Sequence, residues 1–302
     1  MKDSLVSIII PSYKNVEKLP NAINSVLNQT YNNIEVIVVD DNNPDSEYRK
    51  LTEETIKNFQ DDPRIKYIKN EKNSERSFSR NNGAKNSMGK YLMFLDNDDE
   101  FFPEKVESQV EILESRGEEY AFCYSNYVRC KNGKTKIKNG ETREGFLLDQ
   151  ALMRNLYIHS GSNLMIRREA FFEVNGFDES MNINEDYDLV VRLLSKYMIA
   201  YCPVLGLRVN MHEVPIVAYK FEDITNQFLL KEKELIDSLT ENQIKDLHHV
   251  IGLQLYKFYL RSKSDRKRVS KQYELSAILK VKYLLYLINR KVRNVAYGFT
   301  CY

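Results

Sequence analysis

The hydrophobic pattern opens with near-continuous apolar, β-branched runs, Leu5 to Ile10 and Ile34 to Val39, of the kind carried by strands buried on both faces of a parallel sheet. Between them Val16, Leu19, Ile23, Val26 and Leu27 recur at helical spacing, which predicts a strand, helix, strand unit with a right-handed crossover. The pattern repeats: a helix over 46–59, a strand from Ile65 to Ile68, a helix over 79–88 closed by Gly89, and a strand from Tyr91 to Leu95. A helix over 103–116, a strand from Tyr120 to Ser125 and a hairpin turn at Asn132-Gly133 follow. This alternation predicts an α/β fold, a mostly parallel sheet flanked by helices, over residues 1–220. Beyond it, Ile244, Leu247, Ile251, Leu255, Phe258 and Tyr259 form a helical stripe and Leu279 to Ile288 a second helix, so 221–302 is read as a small helical region.

Composition adds three constraints. With 302 residues and 42% apolar content the chain can bury a large core without staples. Its four cysteines show no CxxC spacing, which argues against a disulfide framework or structural zinc and for a reducing cytoplasm. No basic and apolar leader appears, nor any apolar run near the ~20 residues that span a bilayer, so neither export nor a membrane crossing is expected. The net charge is only +1, yet residues 257–293 carry twelve Lys or Arg against Asp265 and Glu274. Such a basic arm is drawn to anionic surfaces, and the lack of base-reading motifs turns that toward a membrane rather than nucleic acid. The expected location is the cytoplasm, with peripheral attachment at the inner face of the cell membrane.

Candidate chemistry centres on Asp96-Asn97-Asp98-Asp99, directly after the apolar run Tyr91 to Leu95. Clustered carboxylates repel one another unless a cation holds them, and Asp96 and Asp98, two apart on a strand, would face one ligand while Asn97 points away. Asp99 also suits the cap of the helix opened by Pro103. In open α/β sheets ligands bind beyond the carboxyl ends of strands, where this chain has Pro11-Ser12-Tyr13, Asp40-Asp41-Asn42 and Asn70 to Asn73. Pro11 and Tyr13 would floor a base and ribose, and Asp41 would accept from a ring N–H or a ribose hydroxyl. Arg80, at Arg80-Asn81-Asn82-Gly83, could meet a diphosphate with its planar fork or sit in a surface ion pair.

Five blocks in order carry a resemblance: Val6-Ser7-Ile8-Ile9-Ile10-Pro11-Ser12-Tyr13, Ser25-Val26-Leu27-Asn28-Gln29-Thr30, Val38-Val39-Asp40-Asp41, Arg80-Asn81-Asn82-Gly83 and Phe94-Leu95-Asp96-Asn97-Asp98-Asp99. Over residues 4–215 the chain resembles inverting glycosyltransferases of family 2, with the GT-A fold, of the bacterial polysaccharide type. The resemblance implies that Asp41 contacts uracil and that Pro11 and Tyr13 frame the nucleoside. It puts Asn73, Arg80, Asp96 and Asn97 near the nucleotide sugar and makes Asp98 a ligand of Mn2+ or Mg2+. Gly176-Phe177-Asp178-Glu179 followed by Asn184-Glu185-Asp186-Tyr187-Asp188-Leu189 is similar to the stretch that supplies the family's base, here Asp186. A carboxylate there would equally cap a helix. His212 stands where the family often has a metal-side histidine, although Met211 and Pro215 depart from its pattern, and His159 is a candidate for the acceptor pocket. The implied donor is a UDP-sugar and the acceptor a glycan or lipid-linked glycan. A sugar nucleotidyltransferase is the competing enzyme, but its Gly-rich loop after the first strand is missing, since no glycine precedes Gly83. An inert membrane-surface module is the competing non-enzyme.

Overall fold

The computed structural model describes residues 4–181, 183–211 and 218–301. They form two compact units. The first holds residues up to Lys136, Thr142–Phe146 and Ile158–Met211; the second holds Ile137–Glu141, Leu147–Tyr157 and the stretch after Met211. The second unit thus takes two short segments from the middle of the chain.

The first unit opens with β1 (Val6–Ser12), α1 (Leu19–Leu27), β2 (Ile34–Asp40), α2 (Glu47–Lys57), β3 (Ile65–Lys69), α3 (Glu75–Lys85) and β4 (Tyr91–Phe94). After the acidic turn come β5 (Glu100–Phe101), α4 (Lys105–Ser115), β6 (Tyr120–Lys131) and β7 (Lys134–Asn139). Asn132 and Gly133 both have positive φ, as the expected two-residue turn requires. Then follow α5 (Leu148–Leu152), which with the end of β7 belongs to the second unit, and, back in the first, α6 (Ser160–Asn163), β8 (Leu164–Arg167), α7 (Arg168–Glu173), α8 (Glu185–Leu194) and β9 (Met198–Asn210).

In the first unit's sheet the strands run β6-β8-β4-β1-β2-β3. β1 is parallel to β2 and β4, and β2 to β3, so their carboxyl ends share one edge. β8 reverses the direction, antiparallel to both β4 and β6. The core beneath β1, β2 and β4 is the apolar set read from the sequence, with Ile8, Ile10, Val36, Val38 and Met93 fully buried.

Local chemistry shifts some boundaries. The helix expected at 79–88 spans 75–85, so Arg80 lies in its middle rather than at its start. Gly89 does not close it: a Cβ there would stand 2.4 Å from Ser7 Oγ and 2.7 Å from Ser7 N, so this glycine lets the chain pass tightly under β1. Gly83 serves a similar end on α3, where a Cβ would meet Ile9 Cγ2 at 2.4 Å. β4 stops at Phe94, so strand alternation does not reach Asp98; the acidic segment is a turn closed by Asp99 N donating to Asp96 O at 3.0 Å. Asp99 does not cap α4, whose N-cap is Glu104.

The second unit adds α9 (Ala218–Lys231), α10 (Lys233–Asp237), α11 (Glu241–Phe258), α12 (Lys263–Gln272), α13 (Ala277–Arg293) and β10 (Val295–Ala296). A capping box of Thr240 and Gln243 starts α11, whose Leu247, Val250, Ile251, Leu253 and Leu255 are buried. Asn155 ties the end of the chain down from both sides, donating to Phe299 O at 2.6 Å and accepting from Phe299 N at 2.7 Å.

Candidate active site

The carboxyl edge of β1, β2 and β4 assembles most of the residues singled out. Pro11 is half-buried and Tyr13 is a rim residue, 43% exposed, with Lys14 Nζ 4.9 Å from its ring. Lys14 and Asn15 both take positive φ, bending the chain away after β1. This loop is fastened from two sides: Lys14 N donates to Asn42 Oδ1 at 3.0 Å, and Asn97 Nδ2 donates to Lys14 O at 3.3 Å. Asn97 therefore ties the acidic turn to the loop after β1.

Asp41 is buried, and its Oδ1 accepts from Asn70 Nδ2 at 2.7 Å and Ser74 N at 2.9 Å. Burial raises its pKa, partly offset by those bonds. Asp40 is a supporting residue rather than a ligand, fully buried with Tyr67 OH donating at 2.5 Å and Arg49 at 3.4 Å. Asn73 shapes the entry to α3: its N donates to Asn43 Oδ1 at 3.0 Å and its Oδ1 accepts from Glu75 N at 3.2 Å.

Arg80 departs most from expectation. It is 1% exposed and divides its guanidinium between two carboxylates: Nη2 to Asp96 Oδ1 at 2.7 Å and Nη1 to Glu185 Oε1 at 3.1 Å. Among the described residues Nε has no hydrogen-bond partner, and the guanidinium lies 5.0 Å from the Phe177 ring. Arg76 reaches the same Glu185 oxygen at 3.2 Å from an exposed position. Burial alone would raise the pKa of Asp96, but Arg80 and Arg76 outweigh it and hold the carboxyl below its usual range.

Asp186 lies at the start of α8, after Asn184 in the left-handed region. It is half-buried and does not cap the helix; its Oδ2 accepts from Ser160 Oγ at 2.6 Å. Glu185 beside it is buried against the two arginines. A Cβ placed on Gly161 would stand 3.5 Å from Arg80 Nη2, 3.5 Å from Asp96 Oδ2 and 3.6 Å from Asp186 Oδ2. Glycine thus leaves open a small space onto which the β4 turn, α3 and α8 each aim a charged group.

The floor of that space is set from inside the core. Lys105, fully buried, donates to Ser125 Oγ at 3.0 Å, Asn163 O at 3.0 Å and Asn163 Oδ1 at 2.8 Å. Asn163 Nδ2 donates in turn to Ser125 O and Ile158 O, and Ser162 Oγ accepts from Asp96 N at 3.1 Å. Burial pulls the Lys105 pKa down to about 7. Ser160 to Asn163 and Lys105 were not picked out from the sequence. The small-residue run after His159 was the available signal for the former; a lysine early in a helix gives none for the latter.

Asp98 is half-exposed, and Asn210 fixes the turn behind it, Nδ2 donating to Asp98 O at 2.6 Å and N to Asp99 Oδ1 at 3.0 Å. His159 Nε2 lies 3.5 Å from Asp99 Oδ2, its ring against Tyr127. His212 lies outside the described residues. The donors facing the crevice are hard carboxylate oxygens, which suit Mg2+ or Mn2+. Among the described residues, three metal-binding side chains gather within 4.8 Å only at Asp246, His249 and Cys301 in the second unit.

The fold is of the GT-A class. It is similar to the crystal structure of S. aureus TarS 1–349, with a TM-score of 0.61 at 15% identity over 96% of this chain and 80% of that one. The same protein in complex with UDP gives a TM-score of 0.57 at 16% identity over 89% of this chain and 91% of that one. The family model for glycosyl transferase family 2 matches residues 7–174, and the chain belongs to that family. Among its relatives, an uncharacterized glycosyltransferase of Rickettsia bellii is 36% identical over 214 residues, 69% of this chain and 30% of that one. One of Rickettsia prowazekii is 30% identical over 258 residues, 80% and 78% of the two chains. Escherichia coli WfgD, a UDP-Glc:alpha-D-GlcNAc-diphosphoundecaprenol beta-1,3-glucosyltransferase, is 27% identical over 265 residues, 85% and 97% of the two chains. The chain spans only about 30% of the length of the first of these relatives.

Proposed function

We propose that this protein is an inverting glycosyltransferase that moves a sugar from a UDP-sugar to a hydroxyl of a glycan or lipid-linked glycan. The observation that carries this is the space above Gly161, where Asp96 Oδ2, Arg80 Nη2 and Asp186 Oδ2 converge. Support for the donor comes from TarS, solved in complex with UDP and with UDP-GlcNAc, and for the acceptor from WfgD, whose name specifies a diphosphoundecaprenol-linked sugar.

Asp41 holds the base, with Pro11 and Tyr13 framing the nucleoside. Asn73 and Asn97 shape the walls around it. Asp98 would hold Mn2+ or Mg2+, with His212 a further candidate ligand, and Asp96 lies beside the nucleotide sugar. When bound, the cation supplies positive charge to the diphosphate leaving group. Arg80 keeps Asp96 ionised and fixes its orientation beside the nucleotide sugar. Asp186 removes the proton of the acceptor hydroxyl, oriented by Ser160. Glu185 is the less suited of the two, because its Oε1 is already engaged by Arg80 and Arg76. One displacement on the face opposite the leaving group inverts the anomeric centre.

The catalytic domain ends near residue 220, and the basic helical region beyond it draws the enzyme to the anionic inner face of the membrane, where a lipid-linked acceptor lies. Calorimetric titration with UDP, with and without Mn2+, tests the donor site: binding should need the metal and be lost in Asp98→Ala. Asp186→Asn should bind UDP normally and lose transfer. Near-native transfer by Asp186→Asn would overturn its assignment as the base.

A further inference from the structure

Helix α13 presents an apolar face to solvent. Ile278, Val281, Leu285, Ile288 and Val292 are 72, 55, 61, 58 and 76% exposed, and their spacing of three and four residues puts all five on one stripe about 21 Å long. The opposite face, with Leu279 and Tyr283, is the buried one. Large apolar side chains aligned in this way and left in water call for a partner. The charges beside them indicate its chemistry. The helix carries Lys280, Lys282, Arg290, Lys291 and Arg293 and no acidic residue; Lys282, Lys291 and Arg293 are exposed.

A second copy docking on this stripe would bring cation against cation, since the positions flanking the seam include Lys282 and Lys291 and no carboxylate to answer them. An anionic lipid surface meets both requirements, acyl chains for the stripe and headgroups for the flanking cations. No described helix is long and apolar enough to cross a bilayer, so the mode is lying in the interface rather than spanning it. We infer that α13 lies in the surface of an anionic membrane with Leu285 and Ile288 at the centre of the inserted face. This deepens the membrane reading of residues 257–293 and rests on it, while being independent of the sugar chemistry.

The chain contains no tryptophan, so Leu285→Trp gives a single reporter. Full-length protein is mixed with vesicles of phosphatidylcholine containing about 30% phosphatidylglycerol, and with vesicles of phosphatidylcholine alone. The expected result is sedimentation with the anionic vesicles only and a blue shift of Trp emission on binding. Leu285→Gln with Ile288→Gln, both at exposed positions, should weaken binding by about tenfold or more. Binding to anionic vesicles with unchanged Trp emission and no effect of the double substitution would leave the charge attraction standing and overturn insertion. No binding to either vesicle at low salt would overturn both. Light scattering that shows a dimer, made monomeric by the double substitution, would assign the stripe to a second copy instead.

Discussion

Arg80→Met removes one guanidinium from between two carboxylates, and the structure sets the size of the effect. Glu185 has 5% side-chain exposure and would lose its 3.1 Å partner; Asp96, 30% exposed, would lose one at 2.7 Å. Breaking a buried pair by deleting one member costs about 3–5 kcal/mol, because a charge is left without compensation. Arg76 still reaches Glu185 at 3.2 Å, but its 61% exposure puts that pair largely in water, which selects the lower end, about 3 kcal/mol. With a urea m-value of about 3 kcal/mol/M, the midpoint should fall by about 1 M. Glu185→Gln in the same chain removes the stranded charge and should recover roughly half of the loss. The pH dependence has a defined sign: Asp96 is held below its ordinary value of 3.8, so its share of stability is present at neutral pH and lost as pH falls through that lowered value. The Arg80→Met deficit should therefore shrink toward acid. Urea unfolding followed by circular dichroism reads all three. A midpoint unchanged in Arg80→Met, or no recovery with Glu185→Gln, would refute the buried bridge.

Gly161→Ala places a methyl at ordinary contact distance, 3.5 to 3.6 Å, from three charged groups, so the melting temperature should hold while transfer kcat/KM falls by about tenfold or more. Gly83→Ala is the converse case: its Cβ would come 2.4 Å from Ile9 Cγ2 between α3 and β1, and about 1–3 kcal/mol of stability should be lost in denaturant titration. Glu114 accepts from Ser4, Lys90 and Tyr91; burial pulls its pKa up, but these bonds prevail and lower it from 4.5 to about 2. Its contribution is thus complete above pH 4.5 and lost on the way to about 2, so the midpoint gap between wild type and Glu114→Gln should narrow as pH drops across that window.

The parallel half of the sheet was legible in the sequence because each strand is an apolar run flanked by turn residues, and the elements from β1 to β4 lie within a few residues of expectation. Beyond it, β6 and its turn were legible but β8 and β9 were not: β8 has only four residues, and β9 is an apolar run interrupted by Pro203 and Gly206, so neither shows the alternation of a strand. The acidic turn stood out by charge, whereas Asp186 stood out only through the family resemblance, since a carboxylate there would equally cap a helix. The partners of Arg80 did not, since a lone arginine in the polar stretch from Ser77 to Asn82 carries no sign that it will be buried. That outcome depends on Asp96 and Glu185 arriving from other elements, one at residue 96 and the other at 185.

The hydrogen bonds of Lys105 have a further consequence for how the crevice can change. Because its ammonium joins Ser125 and Asn163 below the turn that carries Ser160, Gly161 and Ser162, that turn shares the opening free energy of the core and does not fluctuate as a surface loop. At the rim the backbone of Lys14 is held by the side chains of Asn42 and Asn97, while the Tyr13 side chain is exposed. Substitution of the exposed Tyr13 side chain therefore perturbs the rim alone, whereas substitutions beneath the turn act on the whole unit.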